Sequence, residues 1–460
     1  MADQISVAFN PSVVSSIQDR TLQRTFRDAL FPRLLYRMEA VPELWAVNLG
    51  ANMTFTRRGL IKPTTRPISP GLDPVPKTVG VEQWEATAAQ WSDTVDTHMP
   101  TSYVTLANQY LSNMQALGMH SGQSINRVVR DKGYNAYISG NGMVDTLANS
   151  TATSIHLANL TGFTRALFNG RPALVSSSNP INITIPNQVG GTYVGQVTAF
   201  TPDNANDPFA EIHAGTLTIT PALSGNVPAR SPVLSTKRSV VVYSGGGAGV
   251  DDISSSDLLT LADIRSAVAQ MRFNNVPTHE DGSFHVHLDP TSESQIFSDN
   301  EFRVLNTSMP DGVHYRQFAA GYLLNCAFYR NNEAPYVTTC DPDAQTGATH
   351  GFETVNAAGV NVHRPIMTGQ GWIEEKYLDE SKYISEAGVM GKIGEFAVVN
   401  GGVQVMTERI RLILRAPQDR LQQLTASTWS ISGDWPIPTD ELATSSPASY
   451  KRAVVICHGE

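Results

Sequence analysis

Charge is what this 460-residue chain has least of. Asp, Glu, Lys and Arg together make up 16% of it, against about 25% in an average globular protein. Apolar residues make up 41%, so the scarcity of charge is not the mark of a disordered segment, which is charge-rich and poor in aromatics. A chain with few charges and ample length for a core has surface to spare for another subunit. Cysteine is also scarce: Cys326, Cys340 and Cys457 lie far apart and form no CxxC pair. That excludes a disulfide scaffold and a cysteine zinc knuckle, and suits a reducing cytoplasm. There is no run of about 18 apolar residues of the kind a membrane helix needs. The start, Met1-Ala-Asp-Gln-Ile-Ser6, lacks the basic and apolar stretches of a secretory leader. The expectation is a protein made inside the cell and not held in a membrane.

A basic domain is missing as well. Residues 1–140 carry 13 Lys/Arg and 11 Asp/Glu, the remainder 20 and 31, for a net charge of −9. Dedicated nucleic-acid binders concentrate basic residues in one domain, so contact with nucleic acid is expected to be local and weak. The motifs GxSxG, GxxxxGK[ST] and HExxH do not occur, and nothing in the chain demands catalysis.

What is present falls into an ordered series. Leu22, Phe26, Leu30 and Leu34 recur every four residues and predict an amphipathic helix over 18–38, with a kink at Pro32. Residues 46–100 carry Pro63, Pro67, Pro70, Pro74 and Pro76, too dense for a central sheet. They predict an extended arm or long hairpin with strands near Met53–Arg57 and Thr97–Leu106. A second helix is expected over 107–139, from Leu111, Met114 and Leu117 through Val129 to Tyr137. It would be about 45 Å long, with a bend at Gly118 and Gly122. From Pro172 to Pro202 no residue is charged. Short alternating pieces there and beyond (Ile181–Ile185, Thr192–Phe200, Gly215–Thr220 and Ser239–Tyr243) predict a small barrel or sandwich. It ends in a flexible glycine stretch, Ser244–Gly249. A helix Thr260–Phe273 follows, with Thr260 and Asp263 at capping-box spacing. Then come a strand Phe284–Leu288, a helix Ser292–Phe302 and a strand Gly321–Tyr329. Residues 330–405 read as irregular, and strands Arg409–Arg415 and Ala453–Cys457 close the chain.

Three constellations invite chemistry. The glycines after Val240–Tyr243 suggest a phosphate cradle, but Val250 stands where GxGxxG needs glycine, and Asp251-Asp252 would face the phosphates. His285, His287 and Asp289 form H-x-H-x-D, which on one side of a strand would give three ligands of a catalytic zinc site. The competing reading is an ordinary amphipathic strand with its polar face outward. Arg24, Arg27, Arg127 and Arg130, with Lys132, form a modest basic strip if both helices share a face.

The order of segments resembles the major capsid protein of tailed bacteriophages, the HK97-like fold. The resemblance is most specific over 256–336. Its elements are the helix Leu258–Phe273, Asn275-Val-Pro277, Asp281-Gly282, the strand Phe284–Pro290, Ser298-Asp-Asn-Glu-Phe302, the Gly321 strand and Phe328. Arg415-Ala-Pro-Gln-Asp-Arg-Leu421, Ser427-Thr-Trp429 and Tyr450-Lys-Arg-Ala453 resemble the C-terminal end of such coats. The resemblance implies a mixed α+β chain divided into an N-terminal arm (1–45), an extended loop lying over a neighbouring subunit (46–106), and a spine helix with the start of a peripheral domain (107–164). An inserted all-β, barrel-like domain (165–249), the α/β peripheral domain (250–336), an axial domain (337–405) and closing strands (406–460) follow. It implies a non-enzymatic shell protein of the virion, assembled in the host cytoplasm without cofactor or metal. The partners implied are itself, as hexamers and pentamers, then scaffolding, portal and decoration proteins. Double-stranded DNA would be touched only weakly. Arg57, Arg58, Lys62, Arg66 and Lys77 are then the inter-subunit contacts of the loop, and Arg24, Arg27, Arg127 and Arg130 the DNA-proximal residues. The alternatives are a metal-dependent hydrolase using His285, His287 and Asp289, or a tail or decoration protein.

Overall fold

The computed structural model describes residues 19–30, 35–45, 50–58, 81–104, 109–157, 160–168, 171–205, 214–247, 249–307, 321–334, 360–378, 397–399, 402–407, 409–415, 420–421, 423–440, 448–460 and a dozen positions within 61–80. The chain is mixed α+β and divides into two compact units: Met1–Met53 with Glu85–Arg130 and Ile373–Pro436, and Thr54–Trp84 with Asp131–Trp372 and Ile437–Glu460.

The first unit is built on a seven-stranded sheet. Its path runs Val41–Trp45, Glu374–Leu378, Leu424–Asp434, Ile410–Arg415, Gly402–Thr407 and Ala397–Val399, and Ala89–His98 pairs along Leu424–Asp434. The Ile410–Arg415 alternation turns Ile410, Leu412 and Leu414 into the core, as a half-buried strand requires. The helix Asp19–Leu30 buries Phe26 and Leu30. Gly118 lies against it so closely that a Cβ there would fall 2.6 Å from the Phe26 carbonyl oxygen. That glycine therefore serves close packing. The helix Gln109–Tyr137 runs through it unbroken. The strand expected over Thr97–Leu106 lies earlier: Ala89–His98 is the strand, and Met99–Val104 is a short helix. Pro100 explains the switch, because a proline fits the first helical turn, where its missing N–H goes unmissed. The predicted kink at Pro32 lies outside the described residues.

The second unit holds two larger sheets. One is wholly antiparallel, ordered Asn141–Met143, Pro232–Ser235, Ile181–Gln188, Gly191–Pro202, Gly215–Thr220 and Ser154–Leu157. Ile181, Ile183, Ile185, Tyr193, Val197, Leu217 and Ile219 alternate into one apolar core. The other has seven strands, ordered Val241–Tyr243, Ala453–Gly459, Ile366–Thr368, Phe284–Leu288, Cys326–Arg330 and Tyr322–Leu323, with Val362–His363 also paired to Ala453–Gly459. The helix Leu261–Phe273 packs Leu261, Ile264, Val268 and Met271 into its core, and the Thr260–Asp263 capping box is formed. The piece Ser239–Tyr243, read with the β module, belongs to this second sheet: Val241–Tyr243 runs parallel to Val455–Cys457. The helix read as Ser292–Phe302 is two, Pro290–Ser298 and Asn300–Thr307, because Asp299 is extended between them.

A separate two-stranded ladder joins Asn52–Arg58 to Val81–Thr87, with Phe55 stacked on Trp84 at 6.0 Å between ring centroids. Every described position from 61 to 80 is exposed. Among the described residues no helix is long and apolar enough to cross a membrane.

Candidate functional site

Of the residues expected to touch a neighbour, Arg57, Arg58 and Lys77 are described and belong to the hairpin and its tip. Arg57 is anchored within its own chain: its Nη1 donates to Asp440 Oδ1 in a very short ion pair. The same carboxylate accepts from Arg452 Nε at 2.9 Å. Arg58 is exposed. Lys77 Nζ donates to Thr64 Oγ1 at 2.6 Å across the loop. Lys62 and Arg66 lie outside the described residues. The large apolar side chains Ile61, Ile68, Val79 and Val81 are 57%, 54%, 37% and 39% exposed. A two-stranded hairpin is marginal by itself in water, so one carrying exposed apolar groups is a surface that gains from being covered.

Of the proposed basic strip, Arg24 and Arg27 are exposed, Arg127 is half-buried and Arg130 is only 5% exposed. Arg130 lies one turn from Asn126, which is fully buried, and next to buried Val129. The apolar face of the helix is wider there than the Leu/Val stripe implied, and it takes Arg130 out of the strip.

The glycine turn after Tyr243 is closely packed at Gly245 and open at Gly246. Gly245 has φ +78°, and a Cβ on it would fall 2.5 Å from Asp257 Oδ1. Ser244 Oγ donates to Asp263 Oδ2 at 3.0 Å. Carboxylates at a turn of this kind repel phosphate, and the cradle reading fails on charge as well as on spacing.

The H-x-H-x-D residues are parted by the fold. His285 stacks on His279 at 3.9 Å and lies 3.0 Å from Asp281 Oδ2. His287 is 1% exposed, not outward-facing, with Nδ1 3.4 Å from Asn331 Nδ2. Asp289 has left the strand altogether. It caps the helix Pro290–Ser298, accepting from the Thr291 and Ser292 amides at 3.1 and 3.2 Å. The zinc reading is thereby corrected: the three side chains serve three different partners.

Capping also places Asp289 in a buried polar group whose other members no motif singles out. His363 Nδ1 is 2.9 Å from Asp289 Oδ2, and its Nε2 is 3.3 Å from Glu460 Oε2. Ser292 Oγ makes a very short bond to Asp289 Oδ1 and lies 2.6 Å from His458 Nε2. Gln295 accepts from the Leu259 amide at 2.8 Å and donates to the Gly459 carbonyl at 2.9 Å. The group ties one helix, the short strand Val362–His363 and the end of the closing strand Ala453–Gly459 together. Burial would raise the Asp289 carboxyl, but the bonds to His363 and Ser292 overcome that and hold it below its ordinary value. Its members are up to 171 residues apart in sequence, and no spacing links them. The one legible signal is Asp289-Pro290, an N-cap followed by proline at the first helical position.

No protein-family profile matches the chain, and no curated protein does. Among solved structures, the chain is similar to the capsid of Ralstonia phage GP4 at 11% identity and TM-score 0.46, covering 91% of this chain and 87% of that one. It is similar to the cyanophage Pam1 capsid asymmetric unit at 11% identity and TM-score 0.46, covering 90% and 86%. For the capsid of cyanophage P-SCSP1u the values are 10% identity, TM-score 0.43, and coverage of 91% and 85%.

Proposed function

We propose that the chain is a major capsid protein of HK97-like fold that assembles with copies of itself into the icosahedral head shell of a tailed double-stranded-DNA bacteriophage. The observation that carries this reading is the hairpin of residues 52–87. It is a two-stranded ladder with an exposed, proline-bearing tip and exposed Ile61, Ile68 and Val79. A segment built like that contributes little to its own fold and much to a neighbour. The resemblance of 256–336 and 415–453 to phage coats supplies the kind of assembly, and the low charge content leaves surface for it. Obligate interfaces bury about 2,000–5,000 Å² or more.

In this reading the hairpin of 52–87 is the part of 46–106 that lies over the neighbouring subunit, the helix Gln109–Tyr137 is the spine, the six-stranded sheet of 141–235 is the insertion, and 337–405 contains the axial domain. Arg58 and Lys77, with Lys62 and Arg66, face the neighbouring copy, whereas Arg57 steadies the base of the loop through Asp440. The protein is structural, does no chemistry, resides in the virion, and works with scaffolding, portal and decoration proteins during assembly in the host cytoplasm. Arg24, Arg27 and the half-buried Arg127 supply its weak contact with DNA.

Deleting residues 63–76 tests the reading. The deleted chain is expected to keep the wild-type circular dichroism spectrum and thermal midpoint but to sediment as free subunits where the intact chain sediments as shells. Normal shells from the deleted chain would overturn the role given to the loop.

A further inference from the structure

The hairpin of 52–87 is fastened where its ladder gives way to the loop. Along Asn52–Arg58 the side chains alternate, and Phe55 and Arg57 share the half-buried face. Glu82 on the facing strand is fully buried, so one side of the ladder lies down on the protein. Arg57 is the last residue of that face before the loop. Its guanidinium reaches across 383 positions of sequence to the carboxylate of Asp440.

Asp440 is fixed in turn. Its carboxylate is buried, and two guanidiniums share it: Arg57 Nη1 donates to Oδ1, and Arg452 Nε donates to Oδ2 at 2.9 Å. The Asp440 amide donates to the Ser449 carbonyl at 3.0 Å. Arg452 Nη1 donates to the carbonyls of Gln370 and Gly371 at 3.3 and 3.4 Å. A Cβ on Gly371 would fall 2.3 Å from that nitrogen, so the arginine lies close against the turn. Arg452 leads directly into the closing strand Ala453–Gly459, and the turn follows the strand Ile366–Thr368. Two ion pairs in series therefore join the hairpin to two strands of the seven-stranded sheet.

A carboxylate held by charged donors on both oxygens makes a strong and directional joint. The two ends of this joint are unequal. Removing Arg57 leaves the Asp440–Arg452 pair whole, whereas removing the Asp440 charge takes from both arginines the group they share. Breaking a buried pair from one side costs more than breaking an exposed one. A two-stranded ladder is marginal in water, so its direction depends on what it is fastened to.

We propose that Asp440 is a positioning residue, a clasp that holds hairpin residues 54–84 in one direction relative to the closing strand. The clasp is a property of the single chain. In the assembly proposed above, and resting on that reading, it presents the loop to every neighbour at the same angle.

Hydrogen exchange on the full-length chain, at a concentration where sedimentation shows free subunits, tests the clasp apart from any shell. In Arg57→Ala the amides of 54–58 and 81–84 are expected to open about tenfold more often, between the few-fold effect of an exposed ion pair and the larger loss of a buried one. Those of 449–459 are expected to stay as they are. In Asp440→Asn both segments are expected to open, and adding Arg57→Ala to it is expected to free the hairpin no further. Unchanged hairpin exchange in Arg57→Ala, or additive effects in the double variant, would overturn the proposal. Arg57 is half-exposed, and its variant decides the matter if Asp440→Asn does not fold. Shell formation by the intact chain is a separate readout, and its absence counts against the assembly reading only.

Discussion

The two larger sheets of the second unit solve the same problem in opposite ways. The six-stranded sheet takes all its strands from 141–235, pairs them antiparallel, and closes on a core of aliphatic side chains with Tyr193 and Phe163. Its pairings all lie within that one stretch of about a hundred residues, although its outer strands join Met143 to Pro232 and Leu157 to Gly215. The seven-stranded sheet gathers pieces from 241 to 459, mixes parallel with antiparallel pairs, and secures its last strand by buried Asp289, Ser292, His363 and His458 as well as by Val454 and Ile456. Apolar packing is indifferent to pH, whereas a buried group of carboxylates and histidines is not. One sheet is built for constancy and the other carries a part that responds to solution conditions.

The contrast is broken most severely at Asp289. Asp289→Ala leaves His363 with one carboxylate and uncaps the helix, and is expected to cost about 3–5 kcal/mol, the range for removing one member of a buried charged pair. Chemical denaturation monitored with exchange should show the loss at 453–460 first. Leu217→Ala, in the fully buried core of the other sheet, is expected to cost about 2–5 kcal/mol. Its cost should be the same at pH 7.0 and 4.5, and a strong pH dependence would contradict the division drawn between the sheets. Thr260→Ala removes one arm of a formed capping box and should cost about 1 kcal/mol, read as a shift in denaturation midpoint with unchanged slope. The smallest effect belongs to Arg265→Ala. Its ion pair with Glu301, 2.8 Å long, has both side chains about half exposed, and a loss of about 0–1 kcal/mol, shrinking with added salt, is expected.

The same contrast decides what could be read beforehand. In the six-stranded sheet, Ile181-Asn-Ile-Thr-Ile185 and Gly215-Thr-Leu-Thr-Ile-Thr220 display a period of two that names both the strand and its buried face. The Thr260–Asp263 box and the long helix at 109–137 were legible for a similar reason, since the signal lies within a few residues. Asn141–Met143 and Ser154–Leu157 were missed because strands of three and four residues carry no countable period. Val241–Tyr243 reads as part of the fourth piece of the module, and nothing local says that its partner is Val455. His363 and His458 stand in Asn-Val-His-Arg and Ile-Cys-His-Gly contexts without any spacing rule. Only tertiary pairing of Val362–His363 with His458–Gly459 brings them together. Arg130 failed differently: a charge on a helix reads as solvated, and its burial beside Asn126 is decided by what packs on that face.

The hairpin of 52–87 remains the feature on which the functional account turns, and imaging the full-length chain by negative-stain electron microscopy after expression tests it most directly. The account predicts closed shells of uniform diameter, tens of nanometres across. Discrete oligomers of small, fixed copy number at every concentration, with the hairpin intact, would contradict it.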